Sequence, residues 1–117
     1  MKVFCLTLMG EIGTTNTASG DIAIMVFTEE RKMESYLKNW ERYASVPAEV
    51  VHMELFDLFD WMLNKAPNLD AIAIDPEPDD DACPREVTID RQLSYDLPME
   101  EHFQSFLERF TKVMNSG

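Results

Sequence analysis

The stretch IAIMVFTEERKMESYLKNW, residues 22–40, decides the fold because an unbroken apolar run passes directly into an amphipathic one. Residues 22–27 are apolar at every position, which is typical of a strand covered on both faces. Thr28 then ends the strand and is a good helix N-cap, and the following apolar residues recur every three or four positions. This stretch therefore predicts a buried strand followed by a helix with one apolar face.

The rest of the chain continues this alternation in the order ββαβαββα. Two strand–helix–strand units imply parallel crossovers, whereas the shorter links suggest antiparallel pairing. Residues 10–21, rich in Gly, Ser and Thr, are expected to form a flexible loop. We therefore predict one α/β (α+β mixed) domain over residues 1–117, with a single-layer mixed sheet of about five strands and three helices packed on it. The predicted strands span residues 3–9, 22–27, 50–53, 71–75 and 85–90; one helix follows Thr28, a second spans 54–65 and a third begins at Pro98.

The charge of the chain limits its partners. It holds 22 acids and 10 bases, which gives a net charge of −12. Such a surface repels phosphate backbones and anionic lipid, so we expect neither nucleic acid nor a membrane surface as a partner. Residues 43–84 alone hold ten acids and one base, Lys65. A partner that docks on this segment should therefore present a basic surface.

The loop DPEPDDDACP, residues 75–84, is the most acidic part of that segment. Counted from Asp75, its carboxylates superficially follow the ligand spacing of an EF-hand calcium loop that would end at Glu86. However, the sixth position, which needs glycine for a sharp turn, is Asp80, and prolines occupy three other positions. A looser divalent-metal site stays open as an alternative, but a stiff, hydrated connection between two strands is the favoured interpretation.

The sequence contains no recognisable catalytic motif. His52 and His102 are its only histidines, and a zinc or acid–base site would require several His, Cys or Glu ligands that converge, which the sequence does not indicate. We expect His52 to be half-exposed on a strand and His102 to lie on the surface of the last helix. Cys5 is expected in the core, and Cys83, which lies among carboxylates, is expected to be a poor nucleophile. The sequence therefore predicts no enzyme activity and no cofactor.

The start of the chain bears on its location. Its apolar run, residues 3–9, is too short for a typical signal peptide, and no stretch approaches transmembrane length. A cytoplasmic protein is therefore the default expectation.

Two binding hypotheses follow from the acidic segment. In the first, the chain is a non-enzymatic protein–protein interaction module, whose docking surface combines the acidic stripe of the second helix with the acidic loop and uses Trp61 as an aromatic anchor. In the second, loops 10–21 and 75–85 form a pocket for a small molecule or a weakly bound divalent metal. The predicted docking surface consists of Glu54, Asp57, Asp60, Trp61, Asp75, Glu77, Asp79, Asp80 and Asp81.

Residues 22–76 resemble the SseB-like family. The run IAIMVFTEERKMESYLKNW is similar to the strand, Phe-Thr turn and helix that open such a domain, and ELFDLFDWMLNK followed by NLDAIAIDP is similar to its next helix and apolar strand. The family's strand ends in Asn-Pro, where this chain has Asp75 and Pro76. The resemblance implies a compact α/β domain with no established catalytic residues.

Overall fold

The computed structural model describes residues 1–44, 46–79 and 82–116. Within these ranges the chain forms seven strands and four helices. The strands are β1 (Lys2–Leu8), β2 (Glu11–Ile12), β3 (Thr14–Asn16), β4 (Ile22–Val26), β5 (Ala48–Glu54), β6 (Ala71–Ile74) and β7 (Glu86–Thr88). The helices are α1 (Glu30–Tyr43), α2 (Leu55–Lys65), α3 (Leu93–Asp96) and α4 (Met99–Met114).

The mixed class is confirmed, but the strands are arranged in two sheets rather than one. One sheet has the order β2-β1-β5 and the other has the order β3-β4-β6-β7. The pair β4–β6 is parallel and the other strand pairs are antiparallel. Phe4 and Phe27 join the two sheets, because each backbone N–H donates to the other's carbonyl oxygen at 2.9 Å. The five predicted strands therefore lie side by side in the order β5-β1-β4-β6-β7.

Residues 10–21 account for the two extra strands, so the prediction of a flexible loop there is wrong. Strand β2 pairs with β1 and strand β3 pairs with β4, so this segment crosses from one sheet to the other. Gly13 lies at the crossing, where its N–H donates to Leu6 O at 2.7 Å and its carbonyl accepts from Met25 N at 3.1 Å. A Cβ atom at Gly13 would lie 2.8 Å from Met25 Cε. The same Cβ atom would lie 3.1 Å from the backbone oxygen of Leu6, so glycine suits this close approach of neighbouring strands.

Helices cover both faces of the sheets. In β4, Ile24 and Val26 belong to the core under α2 and α4, whereas Met25 and Phe27 belong to a second core under α1. This division follows from the alternation of side chains along a strand. It explains why β4 is apolar at every position, and it places α1 on the opposite face from α2 and α4. Within the described residues, no helix combines the length and the apolar character that a membrane crossing requires.

Candidate functional site

Asp75, the first residue of the acidic loop, is buried at the end of β6. Only 3% of it is exposed. Its carboxylate accepts hydrogen bonds from Thr28 N at 2.8 Å and Thr28 Oγ1 at 2.7 Å, and Lys32 Nζ lies 3.3 Å away. The prediction that Thr28 caps α1 is therefore wrong. The N-cap is Glu29, which makes no side-chain capping bond. Asp75 joins the end of β6 to the β4–α1 corner and is not available for docking.

The next residues of the loop face helix α1 across an open groove of about 680 Å³, here called the α1 groove. Arg85 lies at its floor and donates to the carbonyl oxygens of Ile74 and Asp75 at 3.3 and 2.9 Å. One wall consists of Arg31, Lys32, Ser35, Lys38, Asn39 and Arg42 on α1, and the other is formed by residues 75–79. The predicted docking residues Glu77 and Asp79 line the second wall, whereas Asp80 and Asp81 lie outside the described residues.

The described charges of the acidic loop, those of Asp75, Glu77 and Asp79, are therefore opposed by bases of the same chain. Among the described residues, five bases and these three acids line the α1 groove. Most of these bases precede the acidic segment, residues 43–84, in the sequence. Counting charge along the chain therefore gives no indication that they lie opposite the acidic loop. Helix α1 of the same chain thus presents to the loop a basic surface of the kind that was expected from a partner.

The pocket predicted between loops 10–21 and 75–85 is replaced by direct backbone pairing. Cys83 N donates to Asn16 O at 2.9 Å, and Ala18 N donates to Cys83 O at 3.0 Å. Thr17 and Cys83 form a parallel bridge at the same place. The groove beside residues 75–79 lies on their α1 side instead. Among the described residues, no three His, Cys, Asp or Glu side chains come together as metal ligands.

Helix α2 presents a second group of predicted residues to solvent. Asp57, Asp60 and Trp61 are exposed on its outer side, with 38% of Trp61 accessible. Phe56, which the sequence analysis did not select, is 37% exposed beside them. Glu54 lies at the junction of β5 and α2 and pairs with the N-terminal amine at 3.3 Å. Because α2 and the α1 groove lie on opposite faces of the sheet, these acids do not form one surface with Asp75, Glu77 and Asp79, the described acids of the loop.

A groove of about 630 Å³ lies along α2 and α4, here called the α2–α4 groove. Its apolar part is Phe56 and Phe103, whose ring centroids are 5.1 Å apart in an edge-to-face arrangement. The charged residues that line it are all acids: Glu100, Glu101 and Glu108 on α4. The sequence analysis selected none of these three acids. Finding the groove required knowing that α4 packs beside α2.

His102 is fully buried between these helices, so the prediction of a surface position is wrong. Its ring lies edge-on to Phe59 with centroids 4.9 Å apart, and both ring nitrogens are buried. Burial lowers the pKa of His102, an effect that Arg109 reinforces and Asp90 opposes. His102 belongs to the buried side of α4 with Phe106 and Phe110, at intervals of four residues. This burial was not evident from the sequence, because histidine is polar and an acid, Glu101, directly precedes it.

The remaining chemically interesting side chains have structural surroundings. His52 is exposed and stacks on Phe4, its cross-strand neighbour, with centroids 4.3 Å apart. Cys5 is buried as predicted, and burial raises the pKa of its thiol to about 12. Cys83 is also buried, and its thiol donates to Arg85 O at 3.3 Å. A thiol with so high a pKa is a poor nucleophile, which leaves Cys5 without a catalytic role.

Comparison with protein-family models, with curated proteins and with solved structures gives no match. The resemblance to SseB-like domains therefore stays a prediction.

Proposed function

We propose that this chain is a non-enzymatic protein-interaction module, and that its α2–α4 groove binds a partner segment that carries basic residues around an apolar side chain. The carrying observation is the aromatic pair of exposed Phe56 and half-buried Phe103, and among the described residues the charged side chains that line the groove around it are all acids. The proposal keeps the acidic docking stripe of α2 and joins it to acids of α4. It leaves out Asp75, which is buried.

The aromatic residues would supply the binding energy. Phe56 and Trp61 expose more than a third of their surface on the same helix, where each leaves apolar area in water. Aromatic side chains near the centre of an interface carry a large share of affinity when a partner removes water from them. An apolar side chain of the partner placed against Phe56 and Phe103 would therefore stabilise the complex.

The acids would select and steer the partner. Glu100, Glu101 and Glu108 line the α2–α4 groove, and Asp57 and Asp60 are exposed on the neighbouring helix. A basic segment would be attracted to this face, and its association rate would fall as salt screens the attraction. An acidic partner would be repelled by the same groups. Selectivity for a basic partner is thus the central claim of the proposal.

The test is capture of partners from native lysate, followed by affinity measurements on the purified candidate. The test variant is Glu100→Gln/Glu101→Gln/Glu108→Gln, and the matched control is Glu30→Gln/Glu34→Gln/Glu41→Gln, which changes the net charge equally on α1. At low salt the test variant should bind about tenfold more weakly, since each exposed charge pair contributes about 0.5 kcal/mol. The control should bind like the original chain.

A second pair of variants tests the contribution of the aromatic side chains to binding. Phe56→Ala should weaken binding at both low and high salt, whereas Tyr95→Ala, which removes an aromatic residue that is 85% exposed elsewhere, should not. A partner whose affinity is the same for the acid variant and its control would contradict the proposal. So would a captured partner that is itself acidic at the contact.

A further inference from the structure

We propose that the α1 groove is a second binding site, and that it takes an extended peptide segment whose acidic and basic side chains alternate. This site goes beyond the proposed function, because it lies on the opposite face of the sheets from the α2–α4 groove. It is built around the ends of β4 and β6, the two parallel strands, whose last residues Val26 and Ile74 are register partners. Carboxyl ends of parallel strands are a common position for ligand sites in α/β folds.

The two walls of the α1 groove carry opposite charges. Arg31, Lys38 and Arg42 follow one side of α1 at helical intervals, and Glu77 and Asp79 lie on the loop. Among the described residues, the ion pair between Lys32 and Asp75 is the only one that crosses from wall to wall. Arg31 pairs with Glu29 on its own side at 3.1 Å, whereas the other lining charges, Lys38, Arg42, Glu77 and Asp79, form no ion pair among the described residues and border the open space of about 680 Å³. A ligand can therefore pair with both walls.

The floor of the groove is held in place by hydrogen bonds. Asp75 fixes Lys32, and the carbonyl oxygens of Ile74 and Asp75 fix Arg85. Among the described residues, Arg85 has no carboxylate within ion-pair distance. Within that part of the chain, its positive charge is compensated by the carbonyl dipoles of Ile74 and Asp75. Fixed, partly buried donors reduce the ordering cost that a ligand would otherwise meet on binding.

The pattern of charges selects the occupant. A polyanion would be repelled by Glu77 and Asp79, and a polycation would be repelled by the bases of α1 and by Arg85. In an extended peptide, successive side chains point to opposite sides. A segment with alternating acids and bases would thus turn its carboxylates toward α1 and its ammonium groups toward residues 75–79. The α1 wall from Arg31 to Arg42 is about 16 Å long, which matches about five extended residues.

The experiment compares two labelled peptides of identical composition, acetyl-EKEKEK-amide and acetyl-EEEKKK-amide, by fluorescence anisotropy at low salt. The alternating peptide, acetyl-EKEKEK-amide, should bind. The peptide with its acids and bases in separate blocks, acetyl-EEEKKK-amide, should bind at least about fivefold more weakly, because it can pair with only part of each wall. Backbone amide shifts in NMR spectra should change along α1 and residues 75–79 with the alternating peptide. Equal affinity for the two peptides, or no binding of either, would overturn the proposal.

Charge variants locate the binding. Lys38→Gln/Arg42→Gln on one wall and Glu77→Gln/Asp79→Asn on the other should each weaken the alternating peptide about fivefold. All four side chains are exposed, so the variants should fold normally. The matched control for the first pair is Lys65→Gln/Lys112→Gln, which removes two exposed bases outside the groove. An affinity unchanged in both groove variants, or equally reduced in the control, would show that the peptide binds elsewhere.

Discussion

Replacing Asp75 tests whether its buried carboxylate holds the β4–α1 corner. Asp75→Ala removes the acceptors of two hydrogen bonds, those from Thr28 N and Thr28 Oγ1, and the partner of Lys32. It also places alanine at a φ of +49°, a left-handed conformation that a Cβ atom disfavours. Asp75→Asn keeps one oxygen acceptor and a side chain that tolerates this conformation. The two variants therefore separate loss of charge from loss of the whole contact.

The expected magnitudes differ enough to be measured. A hydrogen bond to a charged group contributes about 1.5–3 kcal/mol, and the left-handed conformation costs alanine about 1 kcal/mol. Because such contributions are not additive, we expect Asp75→Ala to lower the free energy of unfolding by about 3–5 kcal/mol. Asp75→Asn should lower it by about 1–2 kcal/mol. The pair with Lys32 adds little, since that ammonium is 41% exposed.

Urea unfolding followed by circular dichroism measures both values. Asp75→Gly serves as the backbone control, because glycine accepts the left-handed conformation but also lacks the carboxylate. It should be less damaging than Asp75→Ala by about 1 kcal/mol and more damaging than Asp75→Asn. If Asp75→Ala stayed within about 1 kcal/mol of the original chain, the carboxylate would not hold this corner. Equal losses in the alanine and asparagine variants would also refute the reasoning.

Three further predictions concern other parts of the core. Because burial lowers the pKa of His102 below 6.5, the unfolded chain takes up a proton first as pH falls, so stability should decrease below pH 6.5. His102→Leu should make urea unfolding less dependent on pH in that range. Gly13→Ala should lower the free energy of unfolding by about 1 kcal/mol, because the new methyl group would crowd the backbone oxygen of Leu6 at 3.1 Å and displace the end of the Met25 side chain, and thermal melting would measure it. Arg91→Lys should lower the free energy of unfolding in urea by about 1–2 kcal/mol. The Arg91 guanidinium donates to four carbonyl oxygens in and just after the last turn of α2, and a lysine ammonium does not reproduce this geometry.

Local apolar patterns were sufficient to predict the main elements. Residues 22–27 and 71–74 are apolar runs, and both contain predicted strands, β4 and β6, although the direct parallel pairing of these two strands was not predicted. The acidic stripe of α2 was likewise evident from spacing: Asp57 and Asp60 are exposed, and Leu55, Leu58, Phe59 and Met62 are buried on the other side of the helix. These predictions succeeded because each rests on the period of side chains within one element.

Features that depend on contacts between distant residues were not predictable in this way. The short strands β2 and β3 have no apolar period of their own, and they exist because β1 and β4 supply their pairing partners. The bond between Thr28 and Asp75 spans 47 positions, so Thr28 appeared to be a local helix cap. His102 appeared to be a surface residue because a histidine beside a glutamate usually is one, while its burial depends on how α4 packs against Phe59.

The acidic segment shows why charge counted along a chain is an incomplete guide to function. Asp75 is buried, and Glu77 and Asp79 lie across the groove from bases of α1. The negative charge of the loop that looked most like a docking surface is therefore partly compensated by its own chain. Asp57 and Asp60 keep their exposure, and the structure adds acids of α4 to the same side. A partner would meet the acids that lack bases opposite them in the folded chain. Uncompensated charge beside exposed aromatic residues is thus the better criterion, and it favours the α2–α4 groove as the docking site for a basic partner.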